Sequence, residues 1–151
     1  MRNWRGLLAL RQCDMISAAF RERLMLTVTT VNRCQYCASF HERLAELAGL
    51  PAEERRLLLT GVVEECPDEE IPALLYARQW AERDAAPDPE GRATLVAIYG
   101  AERARLIEVM LRLIRVGNLT GNTLDYFLFR LFGRSPLRWR GDRENHSNTL
   151  T

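Results

Sequence analysis

Two thiols and an imidazole lie close together in Cys34-Gln35-Tyr36-Cys37-Ala38-Ser39-Phe40-His41. On a helix turning about 100° per residue, Cys34, Cys37 and His41 fall at roughly 0°, 300° and 340°, a stripe narrow enough to face a single pocket. Where a helix starts, backbone N–H groups without intrahelical partners favour thiolate over thiol, and this reasoning favours ionisation of the first thiol, Cys34. Cys34 and Cys37 stand three residues apart where the backbone is least constrained, so they can close a reversible bridge. His41 is spaced to take or return a proton.

Three chemistries use a Cys-x-x-Cys pair. A structural zinc site needs four ligands, and Cys34, Cys37 and His41 supply three, with Cys13 and Cys66 as distant fourths. Covalent haem attachment needs a His directly after the second Cys, where this chain has Ala38. Thiol–disulfide exchange needs a thiolate, a second thiol within reach and a proton carrier, and all three are present. No metal and no cofactor is implied. The chain has two His, one of them His146 in a polar tail, so imidazole chemistry falls to His41. All 21 basic residues are Arg, which excludes Schiff-base catalysis and a P-loop lysine, since each needs a primary amine.

The elements that must hold this group come from a chain of 151 residues, enough for one domain. A hydrophobic fraction of 47% and a charged fraction of 27% are those of an ordinary globular protein. The formal net charge of +1 offers no field for a polyanion, which argues against nucleic acid as a partner. No apolar run approaches the roughly 18 residues of a membrane span, and no secretory signal is apparent at the N-terminus, so the expected location is the cytoplasm. Four Cys in such a setting are expected as thiols or a redox pair rather than a disulfide framework.

Taken in order, residues 2–19 are expected to be helical, with Cys13 as a small apolar residue. Residues 21–32 mix strand-favouring Thr and Val with the apolar content of a buried helix. No second strand-like run exists to pair with them, so helix is the consistent assignment and the whole chain is expected to be all-α. A helix starting near Cys34 and folding back as a hairpin brings residue 25 opposite His41, with Glu22 one turn further, roughly 4.5 Å along the axis. Glu22 is then either a partner for His41 or a solvated charge between Arg21 and Arg23. The second helix should bury Leu44, Leu47 and Ala48 and end at Gly49. Further helices are expected at 51–59, at 69–85 with Ile71, Leu74, Leu75, Ala77 and Trp80 on one side, and from 92 to 132. The last should bury Leu106, Val109, Met110, Leu113 and Ile114, and be divided at Gly100, Gly117 and Gly121. Cys66, in a Cys-Pro-Asp loop, is expected to be partly exposed. Asn118 and Asn122 mark either close helix packing or a break between two helices, with nothing in the sequence to choose. Residues 1–133 form the expected domain, and 134–151 a polar tail.

The stretch from Glu22 through Asn32-Arg33-Cys34-Gln35-Tyr36-Cys37 and His41 to Ala48-Gly49-Leu50 resembles the alkyl hydroperoxidase D-like group of the carboxymuconolactone decarboxylase superfamily. The Glu-to-Cys spacing, both Cys and the His all agree over about thirty residues, and Asn118 and Asn122 are similar to asparagines near the end of family members. The resemblance implies a helical bundle assembled as trimers or hexamers, with peroxidase or disulfide-reductase activity. It implies that peroxide attacks Cys37, that Cys34 resolves the product to a disulfide, and that His41 and Glu22 relay protons. The implied partners are a hydroperoxide and a dithiol reductant such as a lipoyl-bearing protein. Tyr36 stands where some hydroperoxidases have a second His, and is expected to line the site. Members that decarboxylate lactones generally lack the Cys pair, which argues against that branch. The alternative is a non-enzymatic redox sensor or helical interaction module.

Overall fold

The computed structural model describes residues 15–86 and 88–132. These form five helices and no strand: α1 Ala18–Asn32, α2 Gln35–Leu47, α3 Ala52–Thr60, α4 Ile71–Glu82 and α5 Pro89–Phe132. The expected helix at 2–19, Cys13 and the tail at 134–151 lie wholly or mostly outside the described residues. Within them, Ser17 caps α1 by accepting a hydrogen bond from the Phe20 amide at 3.0 Å, so residues 15–17 precede the helix.

The segment with strand propensity is the central helix. α1 packs against each of the other four, and every residue from Glu22 to Thr29 is buried. A helix covered on all sides needs apolar residues all round, which is why its pattern has no 3.6-residue period. Its threonines spend their hydroxyls inside: Thr27 Oγ1 donates to the Arg23 carbonyl at 2.8 Å, and Thr30 Oγ1 to that of Leu26 at 2.9 Å. Arg33 ends α1 in the left-handed region, φ 51°, with its N–H on the Thr30 carbonyl. Two residues thus separate α1 from α2, forming the hairpin that the motif requires.

Leu47, expected on the buried side of α2, is 70% exposed, and that side is Ala38 and Ala45. Small residues face α1 because the two helices lie close together. Gly49, at φ 86°, closes α2 by donating to the Glu46 carbonyl. In α4 the buried stripe is Leu74, Ala77 and Trp80, while Leu75 is exposed. α5 is broken only at Gly100, with φ 77° and ψ 159°. Arg92, before that break, donates to the buried carboxylate of Glu108 beyond it at 2.8 Å. Gly117 and Gly121 sit within continuous helix, so Asn118 and Asn122 mark close packing and not a break. The buried line of α5 is Ala104, Ile107, Leu111, Ile114 and Asn118, and Leu113 is exposed.

Cys66 is buried, and burial pushes its thiol up to about 12, so the partly exposed thiol expected there is absent. Nearby, the Arg23 guanidinium binds Glu54 through two nitrogens and Glu70 at 3.0 Å, tying α1 to α3 and to the residue that precedes α4. Arg23→Ala leaves two carboxylates at this site without their cation, so its unfolding free energy in urea should fall by about 3–5 kcal/mol. Arg23→Met combined with Glu54→Gln and Glu70→Gln should recover much of that loss, because the unpaired charges carry it.

Candidate functional site

Glu22 lies on the central helix with its side chain 1% exposed. A carboxylate there must be fully partnered. Oε1 accepts from Arg21 Nε at 2.9 Å, and Oε2 lies 2.8 Å from His41 Nδ1. Of the two readings open for Glu22 in the sequence, the structure bears out the partner of His41. With Nδ1–H donated to the carboxylate, the ring's free nitrogen is Nε2, which fixes the tautomer.

Cys34 is the N-cap of α2, and the Cys37 amide donates to its sulfur at 3.4 Å. The two sulfurs are 2.6 Å apart and both are free thiols, the separation exceeding the roughly 2.05 Å of a disulfide bond. At this distance one S–H donates to the other sulfur, and a thiolate at one position holds the proton at the other. The thiolate belongs to Cys37, whose thiol is lowered to about 6. The hydrogen bond from Cys34 contributes most; burial opposes it, while a hydrogen bond from Asn118 and the charge of a protonated His41 assist. The Cys34 thiol is pushed up, by the same bond and by burial. The helix-start argument, which favours Cys34, is therefore corrected: Cys34 caps the helix but is fully buried, and the further donors converge on Cys37.

α5 supplies the wall behind the thiols. Asn118, fully buried, donates to Thr29 Oγ1 at 3.1 Å and accepts from Asn32 Nδ2 at 2.9 Å, which leaves its amide oriented towards Cys37. Asn122 Nδ2 holds the Asn32 carbonyl at 2.9 Å. A Cβ on Gly121 would lie 2.5 Å from Cys34 Sγ and 3.5 Å from Cys37 Sγ, so only glycine lets the helix reach the dithiol. Asn118 as a donor to the thiolate and Gly121 as a close-approach residue are not identified by the motif, although the Asn-and-Gly pattern of α5 marks where they lie.

A cleft of about 400 Å³ opens beside Cys37 and His41, walled by Met25, Tyr36, Phe40 and the α5 residues Leu113, Ile114, Gly117 and Gly121. Tyr36 lines it as expected, and its hydroxyl is buried with no hydrogen-bond partner among the described residues. Cys34 is not on the cleft wall. A ligand entering there meets Cys37 and His41 first. The site residues expected from sequence, Glu22, Cys34, Cys37, His41 and Tyr36, are thus gathered at one place. Among the described residues no cluster of His, Cys, Asp and Glu is arranged to hold a metal ion.

An all-helical bundle with its dithiol at the turn of a helical hairpin defines the class. The family model of the carboxymuconolactone decarboxylase family matches residues 5–83, and the chain belongs to that family, which includes alkyl hydroperoxidase D-like proteins. Comparison with curated proteins and with solved structures finds no match.

The two thiols should separate in their pH dependence. Because the Cys37 pKa is lowered, its alkylation by iodoacetamide, followed by peptide mass spectrometry, should rise through about pH 6 and level off about one unit above, whereas an ordinary thiol continues rising to about 8.5. Cys34→Ala removes the largest stabilising contact, so the Cys37 profile should move upward towards the ordinary value. A wild-type profile still rising at pH 8 would contradict this assignment.

Proposed function

We propose that the protein is a thiol-dependent peroxidase that reduces hydroperoxides at the expense of a dithiol. The observation that carries the reading is the division of labour within the pair: the thiol on the cleft is the one held as thiolate, and its neighbour is buried, protonated and touching it.

With its proton already passed to His41, the Cys37 thiolate attacks the nearer peroxide oxygen. The O–O bond breaks, Cys37 becomes a sulfenic acid, and the departing alkoxide takes the proton from His41 to leave as an alcohol. Cys34 then attacks the sulfenic sulfur, forming the Cys34–Cys37 disulfide and releasing water. An external dithiol reduces this disulfide by two successive exchanges and is itself oxidised to a cyclic or intramolecular disulfide. The sum is one hydroperoxide and one dithiol converted to one alcohol, one water and one disulfide. Glu22 is the positioning residue, orienting the imidazole and stabilising its cation as the third member of a triad does. The apolar cleft suits an alkyl hydroperoxide, and the reductant is a dithiol of the kind a lipoyl-bearing protein carries. The reducing cytoplasm supplies such dithiols. Among the described residues no helix is long and apolar enough to cross a membrane.

Peroxide consumption with a dithiol should continue for many turnovers per chain. General acid–base assistance contributes about 10² to 10⁴ in rate, so His41→Ala, which removes the proton donor to the departing alkoxide, should slow thiol oxidation on that scale and Glu22→Gln by less, both variants remaining folded. Oxidation that stops after one equivalent would instead identify a redox sensor.

A further inference from the structure

α1 meets the thiol cleft through one side chain. Of its apolar residues between Glu22 and Thr29, Leu24, Leu26 and Val28 are fully buried, whereas Met25 is 8% exposed and forms part of the cleft wall with Cys37 and His41. Leucine would fill nearly the same volume, since exchange of the two is among the best tolerated in a packed interior. What methionine adds is a polarisable thioether sulfur, which oxidants convert to a sulfoxide. Phe40, Leu113 and Ile114 stand on the same wall, so an apolar oxidant that enters is held beside two sulfur nucleophiles, Cys37 and Met25.

We propose that Met25 is a modification site for apolar organic hydroperoxides, and that its conversion to the sulfoxide closes the cleft when dithiol runs short. The inference rests on the peroxidase reading for its timing but not for its chemistry. The thioether sulfur attacks the terminal oxygen of the hydroperoxide. The O–O bond breaks, the hydroxyl proton passes to the departing alkoxide, and the products are a sulfoxide and an alcohol. Sulfur is oxidised by two electrons and the O–O bond is reduced by two. While Cys37 is a thiolate it consumes the peroxide first, because its negative charge makes it a far stronger nucleophile than a neutral thioether. Once Cys34 and Cys37 are joined, a peroxide entering the cleft meets Met25 instead. The sulfoxide puts a polar oxygen into an apolar space of about 400 Å³, three residues along α1 from Glu22. Apolar substrates are then excluded until a sulfoxide reductase restores the thioether.

The test exposes the full chain, as Cys37→Ser and as wild type oxidised to its disulfide, to cumene hydroperoxide or to hydrogen peroxide, and reads methionine oxidation by peptide mass spectrometry. Met15 and Met110 are the internal controls. Met15 lies more open, beside the polar Glu69, Glu70 and Arg103, and Met110 is 2% exposed and off the cleft wall. With cumene hydroperoxide, Met25 should gain oxygen roughly tenfold faster than Met110, and the ratio of Met25 to Met15 oxidation should be roughly tenfold higher than with hydrogen peroxide, about 1.4 kcal/mol of barrier in each comparison. Wild type kept reduced by excess dithiol should oxidise at Met25 more slowly than the disulfide form. After the thiols are reduced again, alkylation of Cys37 by a bulky cyclohexyl maleimide, relative to iodoacetamide, should have fallen in the treated wild type, while treated Met25→Leu keeps its own starting ratio. Oxidation of Met110 as fast as Met25, or a Met25-to-Met15 ratio that is the same for both oxidants, would overturn the site. Equal oxidation of Met25 with and without dithiol would overturn the timing, and an unchanged alkylation ratio in treated wild type would overturn the closure. Cys37→Ser has no thiol on the cleft wall, so selective oxidation of Met25 there supports the site even where the wild type fails to turn over, an outcome that overturns the peroxidase reading instead.

Discussion

A carboxylate in the middle of a buried helix is the constraint from which the rest of the site follows. Removing Glu22 from water without partners would cost several kcal/mol, so its two oxygens must be met by fixed donors. Arg21 meets one from the preceding residue, and His41 meets the other from the facing helix. The second contact fixes where α2 lies along α1. It also fixes which ring nitrogen of His41 is free and sets Cys37, one turn earlier on α2, beside that ring. The two-residue turn at Arg33 and Cys34 completes the geometry, because a longer connection would let the register drift.

The thiols need a second constraint, delivered by α5 from far along the sequence. Asn118 reaches the Cys37 sulfur only because its other hydrogen bonds, to Thr29 and Asn32, hold it rigidly. Gly121 lets the helix backbone approach so closely that a single methyl group would collide with the Cys34 sulfur. Overpacking of this kind costs about 1–3 kcal/mol in a well-packed interior, and here the nearest atom to yield is the Cys34 sulfur. With the hydrogen bond between the two sulfurs, the Asn118 contact leaves a thiolate facing the cleft and a thiol behind it.

The fold class and the centre of the site were legible in the sequence because both depend on short-range spacing. Cys34, Cys37 and His41 fall on one helical stripe whatever lies around them, and the absence of a second strand-like run decided the ambiguous segment that became α1. Glu22 was legible as a candidate from hairpin geometry, but not as a certainty, since nothing local distinguishes a buried carboxylate from a solvated one between two arginines. Which thiol ionises was misjudged from the helix start, because that argument omits burial and a donor on α5. Leu47, Leu75 and Leu113 were assigned to the interior by periodicity and lie outside it. A leucine reads the same whether it faces its own core or awaits another surface. Gly121, read as a helix break, is there for proximity and not flexibility, while Gly117 lies in continuous helix with open space around it.

The central claim is that Cys37 alone is the thiol that attacks peroxide, and trapping of the sulfenic acid tests it most directly. With Cys34→Ser, one equivalent of an alkyl hydroperoxide followed by a cyclic 1,3-dione should leave a single adduct on Cys37 by peptide mass spectrometry. With Cys37→Ser, Cys34 should carry none on the same timescale, since it lies off the cleft wall and its burial still raises the thiol. An adduct forming as readily on Cys34 in the second variant, or no adduct on Cys37 in the first, would contradict the account.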